Sequence, residues 1–126
     1  SCLDQKTGLF DTLSSLSAEQ VSKRTNEAPS IVAHCEHVRF YNNLLLSDLK
    51  GETLGKVDWK QTWLLQSANA DEWETLKKTL QDQYREMMGL LESFTTWDDD
   101  KVGIPMAVLV HTAYHLGAIR QLLRFV

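Results

Sequence analysis

Along most of this chain the apolar residues recur at three- and four-residue steps, the spacing of a helix face, so the pattern predicts helices throughout. Leu3, Leu9, Phe10, Leu13 and Leu16 outline a first helical face. Ser17-Ala18-Glu19-Gln20 has the form of a capping box, a serine oxygen for an orphan amide and a glutamine three residues on, and opens a short helix to about Arg24. After Asn26-Glu27-Ala28-Pro29, Ser30 is a good N-cap for a helix over 31–50, with Gly51 where a left-handed residue should close it. Its apolar positions Ile31, Val38, Tyr41, Leu44, Leu45 and Leu49 mark the buried side and set Arg39, Asn42, Asn43 and Lys50 away from it.

The stretch 52–68 holds no sustained period and reads as a connection long enough to run the height of a helical bundle. Asn69-Ala70-Asp71-Glu72 repeats the cap-then-acid signature, and Trp73, Leu76, Leu80, Tyr84, Met87, Leu91 and Phe94 form a core stripe. The segment 97–103 breaks the pattern as a polar loop, its acidic run from Asp98 to Asp100 solvated and lacking the glycine and distal glutamate of a calcium site. Pro105 then fits the first turn of a last helix reaching about Arg124. Four long helices with one short extra helix between the first two predict an all-α, four-helix bundle forming a single domain over residues 1–126. Because the amphipathic pattern starts almost at once and without an initiator methionine, the first helix reads as one that has lost part of its length.

Composition narrows the function classes. The 126 residues suffice for one core without disulfide staples, and 43% hydrophobic with 24% charged residues is ordinary for a globular domain. A net charge of −4 supplies no basic footprint for nucleic acid. Cys2 and Cys35 form neither a disulfide framework nor a C-x-x-C pair, and Cys35 reads as a small buried hydrophobe in a helix. No eighteen uninterrupted apolar residues occur and the start lacks a signal peptide's charged-then-apolar order, so neither export nor membrane spanning is expected and the expected location is cytoplasmic.

The chemistry lies in the four histidines. His111 and His115 stand four residues apart in an apolar helical run, within about 40° on the helix and so on one face. His34 and His37 lie together on the second long helix. His37 sits roughly 10 Å from the start of a helix about 30 Å long, so it can meet His111 and His115 at mid-bundle depth whether the two helices run parallel or antiparallel. Three neutral imidazoles leave one position open on a single zinc, nickel, iron or manganese ion, where a bound water or thiolate becomes a nucleophile at neutral pH. No glutamate follows His111, which excludes the H-E-x-x-H helix of zinc proteases, and no histidine has a glutamate three residues before it, which excludes the ferritin-like di-metal pattern.

The run from Ser30 through His37 to Asn43, closing at Leu49-Lys50-Gly51, resembles the second helix of the DinB-like family of metal-binding four-helix bundles. The run from His111 to Arg120 is similar to that family's last-helix motif, H-x-x-Y-H-x-G-Q-I, and 16–20 resembles its connection between the first two helices. The resemblance implies an up-down-down-up helix order and, by register, His37 rather than His34 as the ligand beside His111 and His115. It implies a metal-dependent enzyme acting on a small molecule, a hydrolase or thiol transferase using a low-molecular-weight thiol, with no dedicated catalytic side chain assigned. The alternative is a stress-related metal-binding or interaction protein of the same fold without turnover. His34, Tyr41 and Tyr114 are pocket candidates, with His34 expected to be a partly exposed neighbour and the two phenols expected to pack. Arg120 lies nearly opposite the histidine stripe, and a homodimer is a candidate assembly. One position departs from the motif: Ala118 replaces the glutamine, removing whatever hydrogen bond that side chain provides beside the site.

Overall fold

A computed structural model describes residues 8–94, 96 and 98–126, with the backbone alone at 99–101. It contains α1 (Leu9–Ser14), α2 (Ala18–Ser22), α3 (Ile31–Leu49), α4 (Ala70–Glu92) and α5 (Asp99–Leu122), with 3-10 turns at Gln61–Trp63 and Leu123–Phe125. Among the described residues there is no strand, and the fold is all-α.

The caps form where the sequence places them. Both halves of the Ser17–Gln20 box are made, and Asn69 and Glu72 exchange the same pair of hydrogen bonds at the start of α4. The Ser30 hydroxyl accepts from the Ala33 amide at 3.2 Å. At the far end of α3, Gly51 has φ +76°, its amide donates to the Asp48 carbonyl, and the Glu52 amide donates to the Ser47 carbonyl at 3.0 Å. Those two bonds are the Schellman closure, and the left-handed glycine is what permits it.

Three expectations need correction. The last helix begins at Asp99, not at Pro105, so the predicted loop over 97–103 is helical from its third residue and Pro105 lies inside the helix. Of the acidic run that read as a solvated loop, the backbone at 99 and 100 belongs to the first turn of the helix, and the Val102 amide donates to the Asp98 carbonyl at 3.0 Å. Asn42, expected on the solvent side of α3, is buried at 1% exposure, because α3 is covered on more than one flank and its buried set is broader than a single stripe. Within the first predicted helix the described part is Leu9–Ser14; Leu3 and Cys2 fall outside the described residues.

The core gathers Leu9, Leu13, Val21, Ile31, Val32, Cys35, Val38, Trp73, Leu76, Leu80, Leu116 and Ile119. Trp73 is its largest member, and its indole N–H, which would otherwise be orphaned, donates to the Leu16 carbonyl at 2.8 Å. Truncating a side chain of this size in a packed core costs about 3–5 kcal/mol. Cys35 is a free, buried thiol with its pKa pushed up to about 12 by burial and by the Glu36 carboxylate, so it packs and does not react. Helix α3 packs against both α4 and α5, while α1 touches α4 and α5. The connection before α4 is pinned to the start of α3: the Ser30 amide donates to Gln66 Oε1 at 3.0 Å and the Ser30 hydroxyl to the Gln66 carbonyl at 2.8 Å. Gln66 Nε2 in turn donates to the Trp63 carbonyl at 2.7 Å, which holds the Gln61–Trp63 turn beside the first half of α3.

Helix α5 is apolar on nearly every side. The segment Val102–Phe125 has a mean hydropathy of 1.4 and is long enough to cross a membrane, although no uninterrupted apolar run of that length was visible in the letters.

Candidate metal centre

The register of α3 and α5 brings all four histidines to one place. His37, His111 and His115 each offer a ring nitrogen, and the three atoms lie within 4.8 Å of one another, close enough to hold one metal ion. His111 Nε2 and His115 Nε2 are 3.1 Å apart. Ligand nitrogens on a tetrahedral zinc, at about 2.0–2.1 Å from the ion, are separated by roughly 3.3 Å, so this pair already has the spacing of two ligands. The cluster includes no carboxylate, in keeping with the exclusion of the protease and di-metal patterns.

Two of the three rings have a second nitrogen held by a neighbour. His37 Nδ1 lies 2.8 Å from Thr62 Oγ1, and the Thr62 hydroxyl donates to the Trp59 carbonyl at 2.6 Å. With its proton committed to Trp59, Thr62 Oγ1 can only accept from His37, which fixes the His37 proton on Nδ1 and leaves the Nε2 lone pair free. His115 Nδ1 lies 2.9 Å from His34 Nδ1. His111 Nδ1 is buried without a hydrogen-bond partner, and its ring stacks on Tyr41 at 3.8 Å.

His34 therefore departs from expectation. It is 7% exposed, inside the cluster and bonded to His115, and is no partly exposed bystander. The cause is the crowding of α3 at this level, where Trp63 meets the His34 ring edge-on at 5.2 Å and closes it from solvent. Tyr41 packs on His111 as expected, whereas Tyr114 is 69% exposed and touches His115 only by its ring, centroids 5.1 Å apart. Arg120 is exposed and outside the cluster.

Burial keeps these rings neutral. It lowers His34 from 6.5 to about 4, with the His37 ring adding to the effect, and His111 likewise to about 4. His115 falls to about 3, first through burial and then through His111, His34 and His37, and burial lowers His37 as well. A neutral imidazole is the form that ligates, so at pH 7 the cluster presents lone pairs and not charges.

Three functional neighbours were invisible in the sequence: Thr62, Trp63 and Trp59, all from the unpatterned connection. Trp63 stacks on His37 at 4.3 Å with an interplanar angle of 15°, and Trp59 lies against His37, Phe40 and Tyr41. Only the density of tryptophans there hinted at a role.

No family model, curated protein or solved structure matches this chain. Its functional reading accordingly stands on the geometry of the histidine cluster and on the motifs that resemble the DinB-like family.

Proposed function

We propose that this chain is a DinB-like four-helix bundle whose His37, His111 and His115 hold one divalent metal ion for use on a small-molecule substrate. The observation that carries the reading is the convergence of three neutral imidazoles, two of them at ligand spacing, with the outer nitrogens of His37 and His115 engaged by Thr62 and His34. Outer partners of this kind orient ligating rings and fix their tautomers.

The contacts support an up-down-down-up order. Arg39 with Gln83 and Lys50 with Glu86 ascend together along α3 and α4, the sense of parallel neighbours. His34 with His115 and Tyr41 with His111 run oppositely along α3 and α5, as do Phe10 with Tyr84 and Leu16 with Trp73 along the first segment and α4.

When bound, the ion would supply a Lewis acid that lowers the pKa of water or of a small thiol at its open position, giving hydrolase or thiol-transferase chemistry. The protein's own residues do the rest. Thr62 and His34 hold the rings of His37 and His115, while Trp63 and Tyr41 wall the cluster and limit water. The small substrate and cytoplasmic location belong to this same proposal.

The test pairs the reconstituted protein with its His111→Ala variant. Transfer from several biological thiols to a generic electrophile, and hydrolysis of simple esters and amides, are measured with both. Faster reaction with the unaltered protein supports an enzyme. Equal rates across the panel, with metal bound, would leave a protein that binds metal without turnover.

A further inference from the structure

We infer that Trp59 is a stacking platform at the mouth of the histidine cluster, and that the small molecule received there is uncharged and carries an aromatic ring. The inference rests on the proposed metal centre and names the substrate class of that same site. Exposure locates the mouth. His115 is buried at 1%, whereas His37 and His111 are partly exposed, so the cluster opens to solvent on the side of those two rings. Two aromatic side chains border that side. Tyr41 stacks on His111 with centroids 3.8 Å apart, and Trp59 lies 6.0 Å from His37 and 6.1 Å from Tyr41.

Trp59 differs from the other rings around it. Trp63 lies flat on His37 at 4.3 Å and serves as a wall. Trp59 is 44% exposed and meets His37, Phe40 and Tyr41 only at tilted or edge-on angles, so none of these contacts takes up an indole face by stacking. Its backbone is nevertheless fixed. The Trp59 carbonyl accepts from the Thr62 amide at 3.3 Å and from the Thr62 hydroxyl at 2.6 Å. The same hydroxyl accepts from His37 Nδ1, so one threonine holds the ligand ring and the platform in register. A large ring held in this way makes contact at little cost in conformational entropy.

Charge selects the class of ligand. Among the described residues, each hydrogen bond and ring contact of the four histidines is with another histidine, with Thr62 or with an aromatic ring. Asp58 and Lys60, on either side of Trp59, are exposed and opposite in sign, and Glu36 and Arg39 are bonded to one another. None of these residues offers an unopposed guanidinium or ammonium to a carboxylate or phosphate. A charged ligand would give up hydration without a compensating partner, whereas a neutral aryl group gains the face of the indole.

Three thiols with one metal-binding head test this: benzyl mercaptan, its para-carboxylate derivative and cyclohexylmethanethiol, each titrated into the cobalt-loaded full chain and read by the visible spectrum. Benzyl mercaptan should bind several-fold more tightly than cyclohexylmethanethiol and about tenfold more tightly than the carboxylate. Its advantage over cyclohexylmethanethiol should vanish in Trp59→Ala and largely survive in Trp59→Phe. Tyr114→Ala should leave it unchanged, because that ring touches the buried ligand His115 and not the open side. A second arm needs no metal: the fluorine resonance of para-fluorobenzyl alcohol should broaden with the metal-free protein and stay sharp with metal-free Trp59→Ala. Broadening without any uptake of cobalt would support the platform while refuting the metal centre. Cobalt uptake with no preference for benzyl mercaptan, tighter binding of the carboxylate, or equal losses in Trp59→Ala and Tyr114→Ala would overturn the platform.

Discussion

Replacing Thr62 with valine keeps the shape of a side chain that is 3% exposed and removes only its hydroxyl. That hydroxyl makes two partly buried hydrogen bonds, accepting from His37 Nδ1 at 2.8 Å and donating to the Trp59 carbonyl at 2.6 Å. Losing partly buried hydrogen bonds costs about 0.5–1.5 kcal/mol each, so the metal-free protein should melt several degrees lower, at about 4 °C per kcal/mol for a domain of this size. If His37 ligates through Nε2, the same change also frees its ring to rotate and to adopt the wrong tautomer. Losing an outer partner of a ligand typically weakens metal binding about 10–100-fold, or about 1.4–2.8 kcal/mol. Zinc affinity is measured by competition against a chromophoric chelator, with Thr62→Ser alongside, which restores the hydroxyl and should recover most of the affinity. A valine variant that melts lower yet binds zinc as tightly as the unaltered protein would refute the role given to Thr62 and, with it, Nε2 as the ligating atom of His37.

Other outcomes follow from the same geometry. His34→Ala should retain one metal per chain but hold it about 10–100-fold more weakly, because His115 Nδ1 loses its partner; unchanged affinity would show that the contact does not matter to binding. The metal-free protein should lose stability as pH falls from about 6.5 towards 4: the unfolded chain takes up protons on His34, His111 and His115 that the folded chain, with lowered pKa values, refuses. Urea midpoints measured in chelator should therefore drop across that window and stay level above about pH 7.5 as far as these groups are concerned; a flat profile between pH 7 and 5 would contradict the burial of the cluster. With cobalt in place of the native ion, a small thiol should shift the visible spectrum by binding as thiolate; an unchanged spectrum at saturating thiol would count against thiol chemistry.

Much of the helical framework was legible because its signals are local. Ser17, Ser30, Asn69 and Gly51 each satisfy a specific orphan group at a helix end, and each bond is present. The pair His111 and His115 was legible for the same reason, being set by one helix turn. The start of α5 was misjudged because proline is commonest in a first turn, whereas here Pro105 lies in the second and gives up one backbone bond. Long-range packing was not legible at all. The burial of His34 and Asn42 depends on how many neighbours surround α3, which a single-helix stripe does not encode. Thr62 and Trp63 reach the site from a connection with no period, positioned by Gln66 hydrogen bonds thirty-six residues away in sequence.

The central claim is that three imidazoles on two helices hold one ion, and metal stoichiometry tests it most directly. The protein is stripped with chelator, reloaded with zinc, cobalt, nickel or manganese, passed over a desalting column and analysed for metal and protein together. The account predicts close to one ion per chain for at least one of these metals in the unaltered protein, and none retained by His37→Ala, His111→Ala or His115→Ala while each variant keeps its helical spectrum. No stoichiometric metal in the unaltered protein, or full retention by the His37→Ala variant, would contradict it.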